Sequence, residues 1–117
     1  YQKEKIISDK ELITHPMNEF CKRFLMLEGY KDGSYGLMVS QLQAVYELVL
    51  YIKINESTNF ASSKAKLNPQ KVDNWIKEAF KIWQWWYWEN RINNTNSILK
   101  KIMFKLKRKL NLIISSY

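Results

Sequence analysis

Apolar residues recur at steps of three and four along most of this chain, and that spacing puts side chains on one face of an α-helix. The pattern is clearest in "VDNWIKEAFKIW", where Val72, Trp75, Ile76, Ala79, Phe80 and Trp83 form one stripe expected to be core. An all-β chain would need alternation and frequent turns. Three glycines and two prolines in 117 residues leave little turn material for one. The fold is therefore expected to be all-α, in a single domain long enough to bury roughly two-thirds of its unfolded surface.

Caps and breakers divide the chain. In "THPMNEFCKRFLMLEGY", Thr14 can cap a helix with Pro16 in its first turn, and Met17, Phe20, Cys21, Phe24, Leu25 and Leu27 repeat at helical spacing. "KDGSYG" ends it. A second helix over 37–54 carries Met38, Leu42, Val45, Tyr46, Val49 and Ile52 on one stripe, widened by Leu48 and Leu50, and is expected to be central. "NFASSKAKL" reads as a short helix with Phe60, Ala61, Ala65 and Leu67 inward. Asn68 then suits a cap and Pro69 a first helical position. "NNTNS" at 93–97 interrupts the pattern and offers Asn96 or Ser97 as cap for a last helix, with Leu99, Ile102, Met103, Leu106, Leu110 and Ile113 along one side.

The net charge is +8, but its placement says more. Segments 1–36, 37–93 and 94–117 hold six basic against six acidic, seven against five, and six against none, or 0, +2 and +6. A positive field on one terminal element fits a polyanion such as nucleic acid, an anionic membrane or an acidic protein. A Lys, Asn and Ile bias of the genome would raise lysine with no binding role. For the last helix three readings stand: a solvated basic face whose apolar stripe closes the bundle, a phosphate-binding helix, or a membrane-surface helix. Both binding roles need exposed cations; only the membrane role also needs the stripe free.

Cys21 is the sole cysteine, so no intrachain disulfide or zinc cluster is expected, and an intracellular home is the default. The first residues lack an initiator Met and an apolar signal core, as in a trimmed chain or a fragment. No run of 18 uncharged apolar residues occurs, so no spanning helix is expected. His15, the one histidine, reads as a neighbour of a helix cap. Asp73, Glu78 and Glu89 have no accompanying glycine loop, metal-ligand spacing or nucleophile, so no enzymatic activity, cofactor, metal or small-molecule substrate is expected.

"LNPQKVDNWIKEAFKIW" resembles the third helix of a homeodomain, with Leu67, Val72, Trp75, Ile76 and Trp83 at the family's core positions and Leu42 and Tyr46 at those of its first helix. The resemblance spans about residues 37–86, and it implies a homeodomain-like trihelical core over 37–92. An N-terminal helical extension over 1–36 and a basic amphipathic helix over 93–117 packed on that core complete the expected organisation. The positions that read bases in the family are Asn74, Lys77, Glu78 and Lys81 here. Glu78 stands where the family carries the adenine-reading Asn, and a carboxylate offers adenine N7 no donor. The resemblance therefore implies duplex binding through phosphates by Lys71, Asn74, Lys77 and Lys81, joined by Lys100, Lys101, Lys105, Lys107, Arg108 and Lys109 of the tail, with little sequence preference.

Residues 83–88 hold four tryptophans and a tyrosine, too many directions for one small core. Part is expected to pack and part, Trp85, Trp86 and Trp88, to dock a protein, with base stacking on single strands as a third use. Together these features resemble the small homeobox-like accessory subunits of the ciliate DNA N6-adenine methyltransferase complex. That resemblance implies a nuclear, non-catalytic DNA-binding and docking subunit beside a larger methyltransferase. A purely structural interaction subunit and a cationic membrane-surface protein remain as alternatives, the membrane being the less expected partner.

Overall fold

The computed structural model describes residues 7–58 and 66–114, with the side chains of 112–114 excepted. It is all-α: α1 (Asp9–Cys21) runs through a π turn (Lys22–Met26) and a 3-10 turn (Gly29–Asp32) into α2 (Gly33–Ser57), followed by α3 (Pro69–Asn93) and α4 (Ile98–Ile114), and no strand occurs among the described residues. The expected short helix before Leu67 falls mostly outside those residues.

α1 begins earlier than Thr14. Ser8 is extended and accepts from the Glu11 amide at 3.3 Å, while its hydroxyl faces the Glu11 carboxylate. This cap satisfies one orphan amide, and Asp9 and Glu11 sit at the positive end of the helix dipole. Thr14 is interior and donates to the Lys10 carbonyl at 3.1 Å; Pro16 lies inside the helix, where its ring removes one backbone donor. The chain then reverses on Glu28, a left-handed residue at φ 61°, and on Gly33 at the same φ. The 3-10 turn lies directly across the first turn of α2, so close that a Cβ built on Gly36 would overlap the Gly29 carbonyl. Ser40 closes this corner, donating to the Gly36 carbonyl at 2.7 Å.

The later caps follow the sequence. Asn68 is extended and accepts from the Lys71 amide at 2.9 Å with Pro69 behind it, and Ser97 accepts from the Lys100 amide at 3.4 Å.

α1 is the central element: α2 packs along one side of it and α3 along another, and α4 rests on α3. On the α2 side Ile7, Tyr51 and Ile54 form a buried cluster with Leu12 and Leu50, and the His15 ring stacks on Tyr51 at 4.1 Å while Nε2 meets Glu47 Oε2 at 3.2 Å. His15 thus joins two helices rather than sitting beside a cap. On the α3 side Phe20 touches Phe24 and Trp83, Trp86 Nε1 donates to Asn18 Oδ1 at 2.9 Å, and Lys10 pairs with Glu78 at 2.8 Å.

Two expected core stripes, on α2 and α4, point outward instead, and a third, on α3, is only partly covered. On α2, Met38, Leu42, Val45, Tyr46, Val49 and Ile52 are all exposed, Leu42 by 69 %. The side turned to α1 carries Gly36, Ser40, Glu47, Tyr51, Ile54 and Asn55. Gly36 and Ser40 let the 3-10 turn approach closely, and Glu47, Tyr51 and Ile54 meet His15 and Ile7, which is why that side, not the richer apolar one, faces in. On α3, Ala79 is buried and Val72, Trp75 and Trp83 half-buried, but Ile76 and Phe80 are 55 % and 53 % exposed because α1 covers only one side. On α4 the apolar stripe does not close the bundle: Leu99 is 80 % exposed and Leu106 63 %.

The reading that no helix is apolar enough to span a bilayer is also corrected. Gly29–Ser57 is long and apolar enough by length and composition, its charges lying mostly near its two ends, and only 22 % of its apolar stretch is buried within the chain.

Candidate functional site

The unpartnered surfaces of α2 and α4 are the features no internal packing explains. At about 100° per residue, Tyr35, Met38, Val39, Leu42, Val45, Tyr46, Val49 and Ile52 fall within one broad sector of α2, opposite Ser40 and Tyr51. All eight are exposed. Contiguous apolar surface on a soluble monomer seldom exceeds roughly 300–600 Å² and marks an interaction site when it does. Eight half-bare side chains on one helix reach that scale.

α4 repeats the inversion. The residues it turns to α3 are Lys101, Phe104, Arg108 and Asn111, the half-buried ones, while Leu99, Ile102, Met103, Leu106 and Leu110 face away. Its seat on α3 is aromatic and ionic: Phe104 lies 5.9 Å from the Trp88 ring, the Arg91 guanidinium stands 4.9 Å over Phe104, and Arg108 pairs with Glu89 while lying 5.3 Å over the Trp85 ring. A guanidinium stacks and pairs at once in a way an ammonium does not, which suits Arg108 to the packed position, while every lysine of α4 but Lys101 lies on the exposed sides.

The thirteen residues singled out in the sequence separate accordingly. Lys100, Lys105, Lys107 and Lys109 are exposed and Lys101 half-buried, and none of the five has an ion-pair partner among the described residues. Arg108 is committed to Glu89. On α3, Lys77 is paired with Asp73 at 3.0 Å, Lys71 donates to the Lys66 carbonyl, Asn74 accepts from Gln70, and Lys81 is half-buried. The α3 and tail cations therefore form no single free cluster. Trp86 and Trp88 are spent on α1 and α4; Trp85 is 41 % exposed but sits under Arg108. The aromatic cluster is thus largely the mortar between α3 and its neighbours.

Two groups were under-read in the sequence. His15 reads locally as a neighbour of a helix cap and Glu47 carries no signal of its own, since their meeting spans 32 positions. Asn90 donates to the Leu25 carbonyl and the Tyr30 hydroxyl, which Asn94 also reaches, and so ties the π and 3-10 turns to the end of α3. Burial pushes the Cys21 thiol up to about 12, so it stays protonated and unreactive at neutral pH. Among the described residues no three His, Cys, Asp or Glu side chains converge to hold a metal ion. No family model, curated protein or solved structure matches the chain.

Proposed function

We propose that this chain is a membrane-surface module that lies on a bilayer with the outward faces of α2 and α4 in the lipid interface. The observation that carries this reading is the inversion of α2, which keeps its small and hydrogen-bonding residues against α1 and gives its apolar residues to the surroundings. Half-exposed apolar side chains gain roughly 1 kcal/mol each on leaving water, so eight supply several kcal/mol toward association before ordering costs. α4 adds an amphipathic helix with both of the features that the membrane role requires, free cations and a free stripe.

Lying on the surface fits better than spanning. α1 packs along α2 and carries Lys10, Glu11, His15 and Glu19, so a spanning α2 would draw these into hydrocarbon, at about 2.5–3.5 kcal/mol for each charged group near the centre. Facing the membrane on one side and α1 on the other avoids that penalty.

The duplex-binding reading, with its homeodomain-like core and a nuclear methyltransferase complex, draws support from the free lysines of α4 alone. It leaves the α2 surface unexplained, and α2 and α3 each pack on α1 rather than extensively on each other. The test is flotation of the 117-residue chain with neutral phosphatidylcholine vesicles, beside a salt titration on unrelated duplexes. The membrane reading expects co-flotation with helix content unchanged. A chain that stays with the soluble fraction and shifts duplex instead would replace it with the nucleic-acid reading.

A further inference from the structure

Resting on the membrane-surface reading, we propose that α4 is a reader of anionic phospholipid: two rows of lysine take acidic headgroups on either side of an apolar ridge that enters the acyl region. The geometry comes from the helical step. Taking Leu99, Leu106 and Leu110 as the crest of the ridge, Lys100 and Lys107 lie along one edge and Lys105 and Lys109 along the other, each about a quarter to a third of a turn from the crest. Arg108 falls on the opposite side, toward Trp85 and Glu89, where its charge is already matched. The four flanking lysines are exposed, they lack ion-pair partners among the described residues, and α4 contains no acidic residue.

This distribution distinguishes among polyanions. A helix seated in a duplex groove lies between two phosphate tracks and turns the side between its flanking cations toward base edges, where a crest of leucines would leave the donors and acceptors of those edges unmatched. A bilayer presents the matching pattern, because phosphates surround every point at which acyl chains are reached from water. Lysine stems can lie along the ridge with their ammonium groups in the headgroup layer while the crest sinks below. The occupant is therefore an acidic lipid surface, with the lysines supplying the preference and the ridge supplying depth.

The experiment compares flotation of the 117-residue chain on phosphatidylcholine vesicles and on vesicles with added phosphatidylglycerol. A second arm uses the variant Lys100→Gln, Lys105→Gln, Lys107→Gln, Lys109→Gln, whose changes are all at exposed positions and should leave the fold intact, checked by circular dichroism. Each lysine near an acidic surface is worth roughly fivefold in affinity, so the wild type should favour acidic vesicles on the order of several hundredfold at low salt. That advantage should shrink as salt is added and vanish in the variant, while binding to neutral vesicles persists. Equal binding of the wild type to both vesicles, or an acidic preference that survives in the four-Gln chain or ignores salt, overturns the assignment and leaves the membrane reading standing. Binding to neither vesicle overturns both, and self-association through the ridge without vesicle binding does the same.

Discussion

Leu42→Asp separates an outward lipid-facing surface from a core. Leu42 is 69 % exposed at the middle of the apolar sector of α2. In water its side chain contributes little to folding, and the replacement should change stability by no more than about 0.5 kcal/mol, with a melting shift of only ~3 °C. On a bilayer the balance differs. Losing the leucine forfeits roughly 1–2 kcal/mol of transfer free energy at this exposure. A carboxylate placed at interfacial depth adds about 1 kcal/mol, less than the value at the bilayer centre. The sum, about 2–3 kcal/mol, is roughly a 30- to 150-fold loss in partitioning. Thermal unfolding by circular dichroism, followed by flotation on neutral vesicles across a lipid titration, measures both quantities. A change in partitioning below about threefold, or a melting temperature lowered by ten degrees or so, would refute the reasoning: the first removes the face from the lipid and the second makes it core.

Other perturbations probe the parts that hold the surface in place. Ile54→Ala, in the buried cluster with Ile7 and Tyr51, should destabilise by about 2–4 kcal/mol in urea unfolding, well beyond any outward residue of α2. Gly36→Ala should be among the most damaging single-methyl additions, on the order of 2 kcal/mol or more by the same measurement, because the new Cβ meets the rigid Gly29 carbonyl rather than a movable side chain. Arg108→Ala should leave the α1–α2–α3 assembly folded but loosen α4, seen as faster amide exchange confined to Ile98–Ile114, since Glu89 and the Trp85 ring lose their shared partner. For Cys21 the thiol is raised in the folded state, so unfolded chains release its proton from about pH 9 and folded chains only near 12. Its contribution is whole below pH 9 and is lost as pH climbs toward 12, so the wild type should lose more stability than Cys21→Ala across that window in pH-dependent unfolding.

The elements of this fold are written locally, and their contacts are not. The Asn68–Pro69 start of α3 and the Ser97 start of α4 rest on side chains within three or four residues of the backbone they satisfy, so sequence alone locates them, whereas of the expected break over 31–36 only Lys31 and Asp32 precede α2. The Ser8–Glu11 cap is equally local, and its signal was present in the sequence; Thr14 and Pro16 mimic a start only because a helix already under way tolerates them there.

Periodicity tells which residues share a side of a helix, but it does not tell which medium meets that side. On α2 the answer was set by partners far along the chain: His15 for Glu47, the Gly29 turn for Gly36, and Ile7 for Tyr51 and Ile54. On α4 it was set by Arg108 finding Glu89 and Phe104 finding Trp88. The sequence by itself determined that the chain is helical, where the last two helices begin, and that cations gather at one end. Only the tertiary structure decided that two apolar stripes face outward, because burial is a property of pairs of surfaces and each of these helices found its better-fitting partner on its more polar side.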